Sequence, residues 1–224
     1  MIIQIKKNIK YLSDKRGFTL IEMAIVLIII GIIIGAVIKG KDLIRSAEQK
    51  KIYTKYLNAW QMVYANFYDR TGKRLGDFSD AAISSEGQDG KADTDNDHDG
   101  KISNVERKYL QTGDPVGTDF RGLDDVGLTA PSTNTGNCWE YTYTDKEGSG
   151  HSLYIAFKYN RKDKYNYMWV NGLPNELGMA LDTMIDNEAD GTSGDFLCFN
   201  AADSVSADWG DPSTEASARW KMDF

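Results

Sequence analysis

The chain has 224 residues and only two cysteines and two histidines. That scarcity excludes a zinc cluster and a scaffold held by many disulfides. Cation excess is also missing. The formal net charge is −7, which argues against a general nucleic-acid binder. No glycine loop of the phosphate-cradling kind is present, no triad spacing surrounds either histidine, and no internal repeat is visible. The chain therefore does not read as an enzyme. Apolar residues make up 41% and charged residues 26%, a composition that is neither disordered nor that of a polytopic membrane protein.

What is present is uneven. The first 17 residues hold Lys6, Lys7, Lys10, Lys15 and Arg16 against Asp14 alone, a net +4, which leaves −11 for the remaining 207. Residues 18–38 then form an apolar run of 21 residues with one charge, Glu22. As a helix, that run spans roughly 30 Å, one bilayer core. The cations before it place the N-terminus in the cytoplasm and the rest outside. A secretory signal peptide ends in a small-residue site after its apolar core. Here Lys39-Gly40-Lys41-Asp42 follows the core, and the small residue, Gly17, precedes it. A plain anchor leaves Glu22 unexplained, since an ionisable group in a bilayer is costly and normally has a partner.

The segment Arg16-Gly17-Phe18-Thr19-Leu20-Ile21-Glu22 resembles the class III signal of type IV prepilins and type II secretion pseudopilins. The resemblance implies cleavage between Gly17 and Phe18 by a prepilin peptidase, and N-methylation of Phe18. It implies that Glu22 pairs with the Phe18 amine of a neighbouring subunit during assembly. An amine and a carboxylate that are each costly in lipid become cheaper together. It further implies a bacterial inner-membrane precursor, single pass, with its head exported. That precursor would enter a periplasmic or cell-surface filament by way of an inner-membrane assembly platform.

Helical periodicity continues beyond the apolar run. Tyr53, Leu57, Trp60, Tyr64 and Phe67 recur every three or four residues, and Thr71-Gly72 is a stop signal. One helix over residues 18–71 would be roughly 80 Å long. Gly31, Gly35 and Gly40 weaken it and mark a possible hinge. Residues 40–52 and 66–81 also resemble a pilin-like subfamily, with Leu75-Gly76-Asp77 in place of its usual Pro-Gly-Asp. Residues 83–136 lack periodicity and read as a long loop. Strands are expected at 138–144, 153–159, 165–170 and 196–199, with a helix at 174–186 and Pro174 in its first turn. The tail to Phe224, rich in Ser, Ala and Asp, reads as irregular. The sum is an α+β fold, a long N-terminal helix packed on a small antiparallel sheet, which also resembles the pilin fold. The organisation is a leader at 1–17, a membrane or filament-core helix at 18–45, and an exported head at 46–224.

Within the long loop, Asp95, Asp97 and Asp99 precede Gly100, Ile102, Ser103 and Glu106. With Asp95 as position one, carboxylates fall at one, three and five, Gly at six and Glu at twelve, the EF-hand loop pattern. Three aspartates, the Lys101 carbonyl, Ser103 and Glu106 are then oxygen ligands for a structural calcium ion, and Ile102 packs inward. Asp89 and Asp93 add ligands or only charge, and the alternative is a solvated acidic loop. No helix leads into this loop, so it is EF-hand-like rather than a paired sensor. Cys138 and Cys198 lie in expected strands on the exported side. An oxidising compartment favours a disulfide there, worth roughly 4 kcal/mol for a loop of about 60 residues, and two buried thiols are the alternative. The turn from Lys158 to Tyr165 is basic and aromatic. It reads as a solvated hairpin turn, with nucleic-acid contact the less favoured reading. His98 sits in the acidic loop, and His151 has no visible partner.

Three functions fit, in decreasing order: a type IV pilus subunit, a type II secretion pseudopilin, and a calcium-dependent adhesin or DNA-binding minor pilin.

Overall fold

A computed structural model describes residues 17–77, 94, 102, 104–113, 121–199, 208–212 and 214–222. The chain divides into two compact units, Met1–Ile44 and Arg45–Phe224.

The first unit holds most of helix α1, Leu20–Ile52. The α-helix runs without interruption through Gly31, Gly35 and Gly40, the positions expected to weaken it. Each glycine costs about 1 kcal/mol of propensity and the β-branched Ile and Val around it add none back, so the cooperative i→i−4 hydrogen-bond ladder of the long helix carries it through.

In the second unit the helix changes pitch. Tyr53–Leu57 forms a π-helical turn, and α2 follows at Asn58–Thr71. The cause lies in the spacing. Ile52, Tyr56, Trp60 and Tyr64 are all buried, and a four-residue repeat drifts about 40° per step on a 3.6-residue helix. A wider turn takes up that drift and keeps the four rings and chains on one face. Of the expected stripe, Leu57, Trp60, Tyr64 and Phe67 are buried and Tyr53 is half-buried. The helix ends where the sequence places its stop. Gly72 takes φ +67° and donates its N–H to the Tyr68 carbonyl.

The sheet has five antiparallel strands: β1 Glu140–Thr144, β2 Gly150–Asn160, β3 Tyr165–Pro174, β4 Phe196–Phe199 and β5 Glu215–Lys221, in the order β1-β2-β3-β5-β4. β5 corrects the reading of an irregular tail. It enters between β3 and β4, so the strand at 196–199 is an edge and not the last in the chain. A bulge falls between Val170 and Leu173, where Gly172 takes φ +68° against the Ser152 carbonyl. β3 runs four residues beyond its expected end. Pro174 therefore closes the strand and caps α4, Asn175–Asp186, instead of lying inside it. The region read as a loop contains a further helix, α3, Asn104–Thr112, and a 3₁₀ turn, Asp124–Val126.

Helix and sheet meet through aromatic rings. Trp60 stacks on Trp139 at 4.0 Å and donates its Nε1–H to the Cys138 carbonyl at 3.0 Å. Tyr56 packs on Tyr141 and donates its hydroxyl to the Trp139 carbonyl at 2.9 Å. Tyr64 packs on Phe157 at 4.8 Å. Trp60 and Tyr56 thus satisfy their buried polar atoms on backbone carbonyls of the β1 edge. On the other flank of the core, Trp209 covers α4 so closely that no side chain fits at Gly178, and its Nε1 donates to buried Asp182 Oδ2 at 2.7 Å.

Candidate functional site

The residues expected to carry processing and assembly lie at the start of α1. Gly17, Phe18 and Thr19 precede the helix and are exposed. Thr19 donates its N–H and its hydroxyl to Glu22 Oε2, both at 2.7 Å, and the Glu22 N–H returns to Thr19 Oγ1 at 3.3 Å. This is a capping box with Thr19 at the N-cap and Glu22 three residues on. The carboxylate also lies at the positive end of the helix dipole. Among the described residues, nothing hydrogen-bonds Glu22 Oε1. Thr19 escaped the sequence reading, though a Thr-x-x-Glu before an apolar run is a legible signal.

The helix that follows is apolar on every side. Leu20, Ile21, Leu27, Ile28, Ile32 and Ile34 are among the exposed large side chains of its first half. The helix is long and apolar enough to cross a membrane. So much apolar surface on one element requires lipid or protein around it.

Most of the expected calcium ligands, namely Asp95, Asp97, Asp99, Lys101 and Ser103, lie outside the described residues, as do Asp89, Asp93 and His98. Glu106 is described. It is the third residue of α3 and is buried. Ile102, at the eighth loop position, is buried as its spacing predicts. Thr94, just ahead of the loop, exchanges hydrogen bonds with the Phe157 backbone of β2 through its own N–H and hydroxyl. Among the described residues no group of three or more His, Cys, Asp or Glu could hold a metal ion.

The expected disulfide is absent. Cys138 and Cys198 are both free thiols. Cys138 precedes β1 and Cys198 lies in β4, the two opposite edges of the sheet. Four strand spacings separate those edges, roughly 19 Å at about 4.8 Å each, far beyond disulfide reach. Burial raises both thiols' pKa values, Cys198 to about 11, so they stay protonated and unreactive near neutral pH.

The basic turn is built on Asn160. Its Oδ1 accepts the Lys162 and Asp163 N–H groups, and its Nδ2 donates to Asp163 Oδ2. Lys164 takes φ +59° to complete the turn. His151, around which no triad spacing is visible in the sequence, lies between two carboxylates. Its Nδ1 is 2.6 Å from Glu215 Oε1 and its Nε2 is 2.9 Å from Asp145 Oδ2. Burial opposes its charge, but the two carboxylates win and raise its pKa. The imidazole thereby ties the β1–β2 turn to the start of β5.

The family described as the prokaryotic N-terminal methylation motif matches residues 12–38. Among curated proteins and among solved structures, none matches the chain significantly. The matched motif supports a type IV pilin-like or pseudopilin-like prepilin signal, with assembly among other pilin subunits and processing by a prepilin peptidase in general.

Proposed function

We propose that the chain is the precursor of a type IV pilus subunit, a structural protein and not an enzyme. Prepilin peptidase cuts between Gly17 and Phe18 and methylates the new amine. The subunit waits in the inner membrane, N-terminus inside and head exported, until an assembly platform draws it into a filament. The methylation-motif match over residues 12–38 carries this reading. Two features support it. An apolar helix leads into an α+β head. Glu22 is held by Thr19 through one oxygen, and its second oxygen would meet a neighbour's Phe18 amine.

The test is intact mass after expression of the full chain with and without a prepilin peptidase. Loss of residues 1–17 plus one methyl group is expected. An uncleaved mass under active peptidase would overturn the reading. The same signal serves type II secretion pseudopilins. Surface filaments seen by microscopy and lost on deletion would mark a pilus, whereas loss of protein export without surface filaments would mark a pseudopilin.

We assign a structural calcium ion to residues 95–106, held by Asp95, Asp97, Asp99, the Lys101 carbonyl, Ser103 and Glu106. The spacing carries this assignment. Ile102 and Glu106 are buried, and α3 begins at the tenth loop position. A calcium-dependent adhesin or DNA-binding minor subunit is the remaining alternative. Adhesion that needs calcium and survives loss of other pilins would favour it.

A further inference from the structure

The sheet face turned away from the helix has a composition unlike the rest of the head. Across neighbouring strands, Trp169 lies opposite Arg219, which lies opposite Leu197, and Lys158 lies opposite Tyr167, which lies opposite Lys221. Tyr165, Tyr167 and Trp169 meet edge to face along β3, and Trp169 meets Phe199 of β4 in the same way. The Arg219 guanidinium carbon sits 3.6 Å from the Phe199 ring centroid, 5.0 Å from Tyr167 and 5.8 Å from Trp169. Among the described residues it has no carboxylate partner, and its buried Nε has no hydrogen-bond acceptor. Among the described residues the cation is thus enclosed by rings and paired with no acid.

Beside it opens a cleft of about 380 Å³, walled by Tyr159, Tyr165, Tyr167 and Phe199, with Arg161 and Lys162 at the rim. Among its described lining residues the acid is Asp163, which is engaged by Asn160 in the turn. That volume is at the small end of ligand-site sizes. It holds one or two six-membered rings rather than a folded partner.

We propose that this cleft binds a carboxylate-bearing sugar ring, one unit of an acidic polysaccharide. The reasons are chemical. Tyrosine rings accept the C–H face of a hexose, and their hydroxyls meet sugar hydroxyls. The guanidinium fork matches a single carboxylate in two parallel hydrogen bonds. A nucleic acid would bring a dense row of phosphates to an exported part that carries −11 by formal count and would be repelled over most of its length. A sugar acid brings one charge per ring, placed where the Arg219 cation is.

The test uses the full chain in detergent micelles, titrated calorimetrically with tetragalacturonate and with its fully methyl-esterified form. Saturable binding of the acid is expected, at least about tenfold weaker for the ester and for Arg219→Gln, and about threefold weaker for Arg161→Gln. Glu22→Gln leaves binding unchanged, which separates this site from assembly. Should Arg219→Gln fail to fold, Arg161→Gln and Tyr165→Ala, at the rim and wall, carry the test. Equal binding of acid and ester, or no binding, overturns the proposal. So does tighter, Arg219-dependent binding of a thymidine oligonucleotide, which would give the face to nucleic acid instead.

Discussion

Glu22 caps its own helix, and the proposed contact with a neighbour can be tested apart from that role by changing one atom. Its Oε2 starts its own helix through Thr19, while the proposed contact with a neighbour needs its charge. Glutamine also closes a capping box but carries no charge. Glu22→Gln is therefore expected to be cleaved normally and to be excluded from filaments. Incorporation at the wild-type level, read from the sheared filament fraction, would refute the charge pair. The thiols are a second residue-scale matter. Without reductant, denatured protein is expected to take up two alkylating groups per chain by mass, and native protein fewer. A chain that takes up none has a disulfide that the sheet geometry forbids. His151 supplies the third. Its pKa is raised above the ordinary 6.5 by Asp145 and Glu215. Its contribution to stability is full below pH 6.5 and disappears as pH rises through the raised value. Relative to His151→Gln, the wild type is expected to lose melting temperature across that window. Parallel pH curves would remove the clamp. Glu22 and the cysteines are legible in sequence. The His151 clamp is not, because Glu215 lies 64 residues away in a segment that carries no strand signal.

At the scale of elements, the aromatic stripe on α2 is the feature that sequence and structure share most fully. Spacing placed Trp60, Tyr64 and Phe67 on one face, and they are buried there. Trp60→Ala removes a stacked ring and leaves the Cys138 carbonyl without its donor. The expected loss is about 3–5 kcal/mol of unfolding free energy, measured by denaturant titration. A loss below about 1 kcal/mol would mean that the helix does not depend on the sheet. Gly178→Ala puts a methyl group against Trp209 and is expected to cost about 1–3 kcal/mol by the same measurement. The strand β5 shows why the rest was hidden. Its sequence, EASARWK, is short and rich in small residues, with one bulky apolar side chain. Its place between β3 and β4 comes from backbone pairing with both neighbours, which is tertiary context overriding weak propensity. The π turn was equally invisible, since four-residue spacing marks a helix face without stating how the helix accommodates the drift.

For the whole molecule, an N-terminal apolar helix joins a head that carries nearly all the core, from Ile52 to Met222. The calcium proposal belongs here, because a filled loop would tie Thr94 and Ile102 to the start of α3. With calcium present, a chelator is expected to lower the melting temperature of the wild-type chain in detergent. It should leave Asp97→Ala/Glu106→Ala unmoved, and equal responses of the two proteins would dismiss the site. The prepilin-type signal was legible in the sequence alone. An apolar run of 21 residues, five cations before it and one glutamate inside it are local facts, and local facts suffice for a helix long and apolar enough to cross a membrane and for a prepilin-type signal. The fold class follows the same logic, as periodicity is also local. Only the tertiary structure decided the strand order, the separation of the two cysteines, the pairing of His151 and the aromatic cleft around Arg219. Each depends on residues tens of positions apart meeting across a sheet, and no spacing rule along the chain encodes which edge a late strand will join.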